Sequence, residues 1–394
     1  MMSESLFDAV TDRRASNSIK WNRYGADVLP MWVADMDFRA PAPVLEALRR
    51  AVDHGVFGYE MPSRALLETV AARMEKLYAW QIEPQMVVAI PGLVSGFNAA
   101  AWAVCAPGEG VLMQTPVYPP FLQTPENVGL TRQWAELVCE RQGSTLRYRV
   151  DWEAFETATH SGGVPTRLFL LCNPHNPIGQ VYTHADLLHI ADVCERQDII
   201  ICSDEIHSEL LLGETSFTPI AALSPEIAAR TITLIAPSKT FNVAGLFCGF
   251  AIIPDPGLRE RYKNVLERLT LHVNNLGMVA AQVAFSGVCD DWLAALKSYL
   301  TANRDFMVDF VRTRLPGLRV SVPEATYLAW LDCNDLIAQG RIPGSPYDFF
   351  LKEAKVALND GADFGPGGQG FVRLNFGCPR ALLAEGLERL CRVL

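Results

Sequence analysis

The sequence predicts an α/β fold: a mostly parallel sheet covered by helices, followed by a smaller α+β unit. Three observations predict it. The middle of the chain alternates short apolar runs with longer amphipathic ones. Several runs, Ile199-Ile-Ile-Cys202 among them, are apolar on both faces, as strands covered on both sides are. The length of 394 residues, with 49% hydrophobic and 20% charged content, suffices for two domains and an extensive core.

Seven runs read as strands: Met86–Ile90, Gly110–Gln114, Thr131–Leu137, Arg167–Cys172, Ile199–Ser203, Thr231–Ala236 and Cys248–Ile253. Helical segments lie between them, such as Thr183–Arg196, where the threonine is placed to cap and Asp186 follows three residues on. From Leu258 to about Arg314 the pattern is of long helices. Pro316-Gly317 then precedes strand-like Tyr327–Asp332, a Phe371–Phe376 strand and a closing helix. These readings divide the chain into an N-terminal arm (1–44) belonging with the C-terminal unit, a large domain (45–285) and a small one (286–394). No internal repeat interrupts this order.

Composition narrows the partners. A net charge of −10 and scattered basic residues argue against nucleic acid or an anionic membrane. No secretory pattern opens the chain, and no apolar run reaches the roughly 18 residues of a spanning helix. Ten dispersed cysteines without a C-x-x-C pair suggest a reducing cytoplasm and no metal site; Cys172, Cys202 and Cys248 read as small buried thiols.

Chemistry is carried by Lys239, the only lysine between Leu77 and Tyr262, directly after Thr231-Ile-Thr-Leu-Ile-Ala236. An amine at the end of a buried strand loses hydration, which frees its lone pair for Schiff-base chemistry; a surface turn is the plain alternative. Four other segments also end strands, where open α/β sheets bind ligands. Cys172-Asn-Pro-His-Asn-Pro-Ile-Gly179 is a proline-stiffened turn that aims Asn176. Ser203-Asp-Glu-Ile-His207 puts Asp204 where it needs a positive partner, either a protonated pyridine nitrogen or a structural cation, with His207 nearby. Ile90-Pro-Gly-Leu-Val-Ser-Gly offers backbone N–H groups of Leu93 and Val94 to a phosphate. In Thr115-Pro-Val-Tyr-Pro-Pro, prolines hold Tyr118, either as a stacking platform or as core.

Together these segments resemble the fold-type I pyridoxal-phosphate enzymes over essentially the whole chain, with 28 residues from Asn176 to Asp204 and 35 from Asp204 to Lys239. The resemblance implies pyridoxal 5'-phosphate as cofactor and Lys239 as the Schiff-base lysine. Asn176 would bond the phenolic oxygen, Asp204 the ring nitrogen, and Tyr118 would stack. Leu93, Val94 and Ser238 would meet the phosphate, and His207 would contact the cofactor.

Within that class, Leu29-Pro-Met-Trp-Val-Ala-Asp-Met-Asp-Phe38, Phe57-Gly-Tyr59, Asp204-Glu-Ile-His-Ser208, Ser238-Lys-Thr-Phe-Asn242 and Asn359-Asp-Gly-Ala-Asp-Phe-Gly-Pro-Gly-Gly look like the MalY/PatB-type cystathionine β-lyases. That likeness implies Trp32 and Ala34 on the substrate side, Arg373 gripping the α-carboxylate, and a homodimer in which Tyr59 reaches the partner's cofactor phosphate. Ordinary aminotransferases carry an arginine about eight residues after the lysine. Phe247 stands there, which fits the lyase branch. The expected reaction is α,β-elimination of an amino-acid thioether. An aminotransferase on the same scaffold, or a non-catalytic binding protein, are the rivals. The run Gly365–Gly370 reads as a flexible connection or a second phosphate loop.

Overall fold

Seven short apolar segments pair into one sheet in a computed structural model that describes residues 6–394. Their spatial order is Val87–Ile90, Gly249–Ile252, Thr231–Ile235, Ile200–Asp204, Thr166–Cys172, Gly110–Thr115 and Thr131–Glu136. All pairings are parallel except those of Gly249–Ile252, which runs antiparallel to both neighbours. These are the seven strands expected, with no boundary shifted by more than one residue. Thr231–Ile235 and Gly110–Thr115 are buried at every position, because helices cover both faces. The helix His184–Arg196 begins at a capping box in which Thr183 and Asp186 exchange hydrogen bonds.

A second sheet has the order Asn359–Asp360, Phe371–Asn375, Leu328–Asp332, Arg319–Ser321, Thr145–Arg149 and Val138–Gln142. Its last two strands form a hairpin that the sequence reading missed; they pair with Arg319–Ser321 although they lie far earlier in the chain. Their composition hides them. Val138-Cys-Glu-Arg-Gln and Thr145-Leu-Arg-Tyr-Arg bury one face at most, so no apolar run marks them. Thr131–Glu136 ends one residue short of the expected Leu137, where the chain leaves for this hairpin.

The predicted helical stretch resolves into Pro256–Arg268, Asn275–Phe285 and the 25-residue Asp290–Arg314, which leads to the second sheet. Leu29–Pro30 pairs in parallel with Val356–Ala357, tying the N-terminal segment to C-terminal residues. Cys172, Cys202 and Cys248 are buried as expected. Among the described residues, no single helix is long and apolar enough to cross a membrane.

Candidate active site

Parallel strands deliver their carboxyl ends to one edge, so Cys172, Asp204 and Ile235 bring the segments after them together. Lys239 sits in the short helix Pro237–Thr240 just past Ile235, and its Nζ donates to the Ala34 carbonyl at 2.6 Å. Burial of the amine lowers its pKa to about 8; Asp35 and Asp204 oppose that shift, while Arg373 adds to it.

Asp204 closes its strand with a buried carboxyl whose Oδ1 accepts only the Ile206 N–H, at 3.1 Å. Burial pushes its pKa up to about 6 against that hydrogen bond and the charge of Lys239. His207, also buried, has its ring edge-on to Tyr327 at 5.8 Å. Burial and the cations Lys239 and Arg373 hold it far below its ordinary pKa, so it is neutral, and its Nδ1 has no hydrogen-bond partner.

Arg373, 4% exposed, stands in the middle of Phe371–Asn375, next to the edge strand of the second sheet. Its Nη1 donates to Asn176 Oδ1 at 3.0 Å; its Nη2 donates to the Trp32 carbonyl at 3.0 Å and Asn359 Oδ1 at 2.6 Å. Its Nε has no partner, and no carboxylate meets the guanidinium among the described residues. Burial therefore lowers its pKa to about 10. With Asn176 Oδ1 taken by Arg373, the amide group left to Asn176 for a ligand is its Nδ2 donor.

Tyr118 precedes the helix Pro119–Val128, and burial raises its pKa while Arg373 opposes the shift. The helix Leu93–Val104 opens after Gly92, whose φ of 102° suits a residue without Cβ. The Phe247 ring comes against this turn, 3.8 Å from where a Cβ on Gly92 would lie, and is 62% exposed. Ser238 is buried beside Lys239.

Tyr59 lies apart. It is fully exposed in a segment without regular structure, together with exposed Phe57 and Met61. The Gly365–Gly370 run is not a free connection: Gly368 and Phe371 N–H groups bond back within it, at 3.1 and 3.2 Å. Gly367 packs on the Glu136 side chain, an acidic neighbour ill suited to phosphate.

Sequence reasoning missed Tyr327, whose hydroxyl donates to the Ala34 carbonyl at 2.9 Å, and Asn359, Asn375 and Asn242. Asn242 had a signal, since it stands in the quoted Ser238–Asn242 motif. Asn359 had the same signal, since it opens another quoted motif; Tyr327 and Asn375 had none.

The residues fit a pyridoxal ring. Asp204 is a buried acid lacking a cationic hydrogen-bond partner, which a protonated ring nitrogen would supply, and unsatisfied His207 Nδ1 and Thr115 Oγ1 are buried polar atoms still open to a partner. Fold and site define the fold-type I pyridoxal-phosphate class. The family model for aminotransferase class I and II matches residues 27–390. The chain is 39% identical to cystathionine beta-lyase PatB of Bacillus subtilis, covering 98% of each, and 31% identical to protein MalY of Escherichia coli, covering 98% and 97%. A solved PLP-bound C-S lyase from Staphylococcus hominis superposes with a TM-score of 0.91 at 28% identity, over 100% of this chain and 99% of that one. The chain belongs to the class I and II aminotransferase family and, within it, to the PatB/MalY-type cystathionine β-lyases.

Proposed function

We propose that this protein is a pyridoxal-phosphate-dependent carbon–sulfur β-lyase. It would split L-cystathionine or a related cysteine S-conjugate by α,β-elimination into a thiol, pyruvate and ammonia. The observation that carries this reading is Arg373, a buried guanidinium without an anionic partner, joined through Asn176 to the turn beside Asp204. An amino-acid carboxylate completes it, because a guanidinium grips a carboxylate through two parallel hydrogen bonds.

When bound, pyridoxal phosphate supplies an electron sink conjugated to the substrate's Cα. Lys239 holds the cofactor and then takes the Cα proton; a pKa near 8 leaves part of the amine neutral around neutral pH. Asp204 would pair with the ring nitrogen, Asn176 would donate from Nδ2 to the phenolic oxygen, and Tyr118 would stack on the ring. His207 stays neutral beside it. N–H groups of Leu93 and Val94 and the Ser238 hydroxyl would hold the phosphate. Trp32 and Ala34 line the substrate side. With the Cα proton on Lys239, the Cβ–S bond breaks and sulfur leaves with the bonding pair. A thiol, with a pKa of about 8.5, leaves far more readily than a hydroxyl. The three-carbon remainder hydrolyses to pyruvate and ammonia.

The same reading makes the protein a cytoplasmic homodimer with Tyr59 reaching the partner's phosphate site; the exposure of Tyr59, Phe57 and Met61 supports it. The division at about residues 44 and 285 goes with it. Phe247 speaks for elimination over transamination. Pyruvate release from L-cystathionine without any keto-acid acceptor tests the choice: a transaminase leaves the Cβ–S bond intact and releases none, turning over only when an acceptor is added and then giving the S-substituted keto acid.

A further inference from the structure

The motif Trp32-Val-Ala-Asp-Met-Asp-Phe38 contains two aspartates with no part in the reaction above. They directly follow Ala34, where the N-terminal segment meets Lys239. The Ala34 carbonyl accepts both Lys239 Nζ, at 2.6 Å, and the Tyr327 hydroxyl, at 2.9 Å. Two asparagines pin the backbone around it. Asn375 Nδ2 donates to the Val33 and Asp35 carbonyls at 2.5 and 2.7 Å. Asn242 Nδ2 donates to those of Met36 and Phe38 at 2.9 and 2.6 Å.

The remaining side is closed by residues 13–21. Lys20 Nζ donates to Asp37 Oδ2 at 2.6 Å and to the Asp35 carbonyl at 3.2 Å. Arg13 bridges the two acids, reaching Asp37 Oδ1 at 2.7 Å and Asp35 Oδ2 at 2.6 Å, and Trp21 Nε1 adds 2.8 Å to Asp37 Oδ1. Asp37 is 3% exposed and Lys20 2% exposed. A buried ion pair adds little net stability over apolar residues of the same volume, because desolvation offsets the attraction. What such a pair does supply is a single geometry. Here that geometry fixes the backbone one residue from the Lys239 contact.

We propose that the Lys20–Asp37 pair, bridged by Arg13, is a positioning device: it holds the Ala34 carbonyl against Lys239 and so sets where the freed amine stands over the substrate. The proposal rests on the reading of Lys239 as base. Neither Lys20 nor Asp37 touches substrate; they act through Ala34. A base displaced by about 1 Å loses rate by up to about a hundredfold. Substrate affinity changes less, since two of the three anchors of Arg373, Asn176 and Asn359, lie outside this segment.

The test compares holoenzymes carrying Lys20→Met, Asp37→Asn, both together, and the milder, partly exposed Arg13→Gln. Each is measured for kcat and KM on L-cystathionine, for Tm and for bound cofactor by absorbance. Each single change of the buried pair leaves the other charge with fewer partners, Arg13 and Trp21 for Asp37 and the more distant Asp35 for Lys20, and lowers Tm; the double variant regains most of it. In all of them kcat stays down by about tenfold or more, with KM within about threefold and cofactor content unchanged. Recovery of kcat together with Tm in the double variant makes the pair merely structural and overturns the proposal. Wild-type kcat in Lys20→Met does the same, or in Arg13→Gln if the buried variants do not fold. Retained turnover in Lys239→Ala would instead overturn the assignment of the base.

Discussion

Replacing Arg373 by lysine separates the guanidinium's geometry from its charge. In the structure its two Nη atoms are anchored on Asn176, Trp32 and Asn359, and Nε is open. A carboxylate arriving there meets a fixed fork. Lysine keeps the charge but offers a point donor on a flexible stem, and it cannot keep all three anchors while reaching the ligand. A hydrogen bond to a charged group contributes roughly 1.5–3 kcal/mol. Losing one such bond and loosening the second costs about 2–4 kcal/mol of transition-state binding. At about 1.4 kcal/mol per decade, that predicts a kcat/KM lower by about 30- to 1,000-fold. Pyruvate release followed across L-cystathionine concentration measures it, with the cofactor's absorbance as control for an intact site. KM should carry much of the change, because the carboxylate is bound before and during the chemistry. A kcat/KM within about threefold of wild type would sink the argument, and with it the placement of the α-carboxylate.

Three further outcomes are expected. Asp204→Asn should retain cofactor yet lose about a hundredfold or more in turnover, since a neutral amide no longer favours a protonated ring nitrogen; unchanged turnover speaks against that pairing. Glu205, buried beside Asp204 with Oε2 unpartnered, has its pKa raised to about 8 from an ordinary 4.5. The unfolded chain gives up that proton first, so this group's contribution is fully present below pH 4.5 and is lost as pH rises to about 8. Glu205→Gln should therefore raise Tm more at pH 8 than at pH 4.5, and equal gains at both would refute the buried-acid account. Finally, subunits carrying Tyr59→Ala and subunits carrying Lys239→Ala should be inactive alone but regain activity when co-refolded, because one site of each heterodimer then holds both residues. No recovery argues that Tyr59 serves its own chain.

The central site residues were legible because strand ends are. Asn176, Asp204 and Lys239 each follow an apolar run, and a polar group left at such a place needs a reason. Parallel pairing then brings the three together without further information. Arg373 was legible only through its motif, since a lone arginine in a strand looks the same whether it pairs with an acid or waits for one. The pins of the Ala34 segment left almost no trace: Asn242 stands in a quoted motif, but nothing there showed what it would bond. Asn375, Asn242 and Tyr327 act on backbone carbonyls, which every residue has, so nothing in the partner's sequence answers to them. The hairpin Val138–Arg149 was lost for a related reason: its pairing depends on a strand far along the chain, and its half-exposed face erases the apolar pattern.

One physical pattern joins the site's residues. Lys239 and Arg373 have lowered pKa values, Asp204 has a raised one, and His207 is held neutral, each with burial as the largest cause. Every ionisable group is thus pushed toward its uncharged form by a pocket that removes water and leaves the charges incompletely paired. Such a pocket costs stability, and sites that bind charged ligands commonly bear that cost. The missing charges are specific: an anion for Arg373 and a cation for Asp204. A substrate carboxylate and a protonated pyridine nitrogen supply them, so binding relieves the strain that folding leaves in place. Ligation should then raise Tm by more than contacts alone would give, and Arg373→Lys or Asp204→Asn should each remove part of that gain.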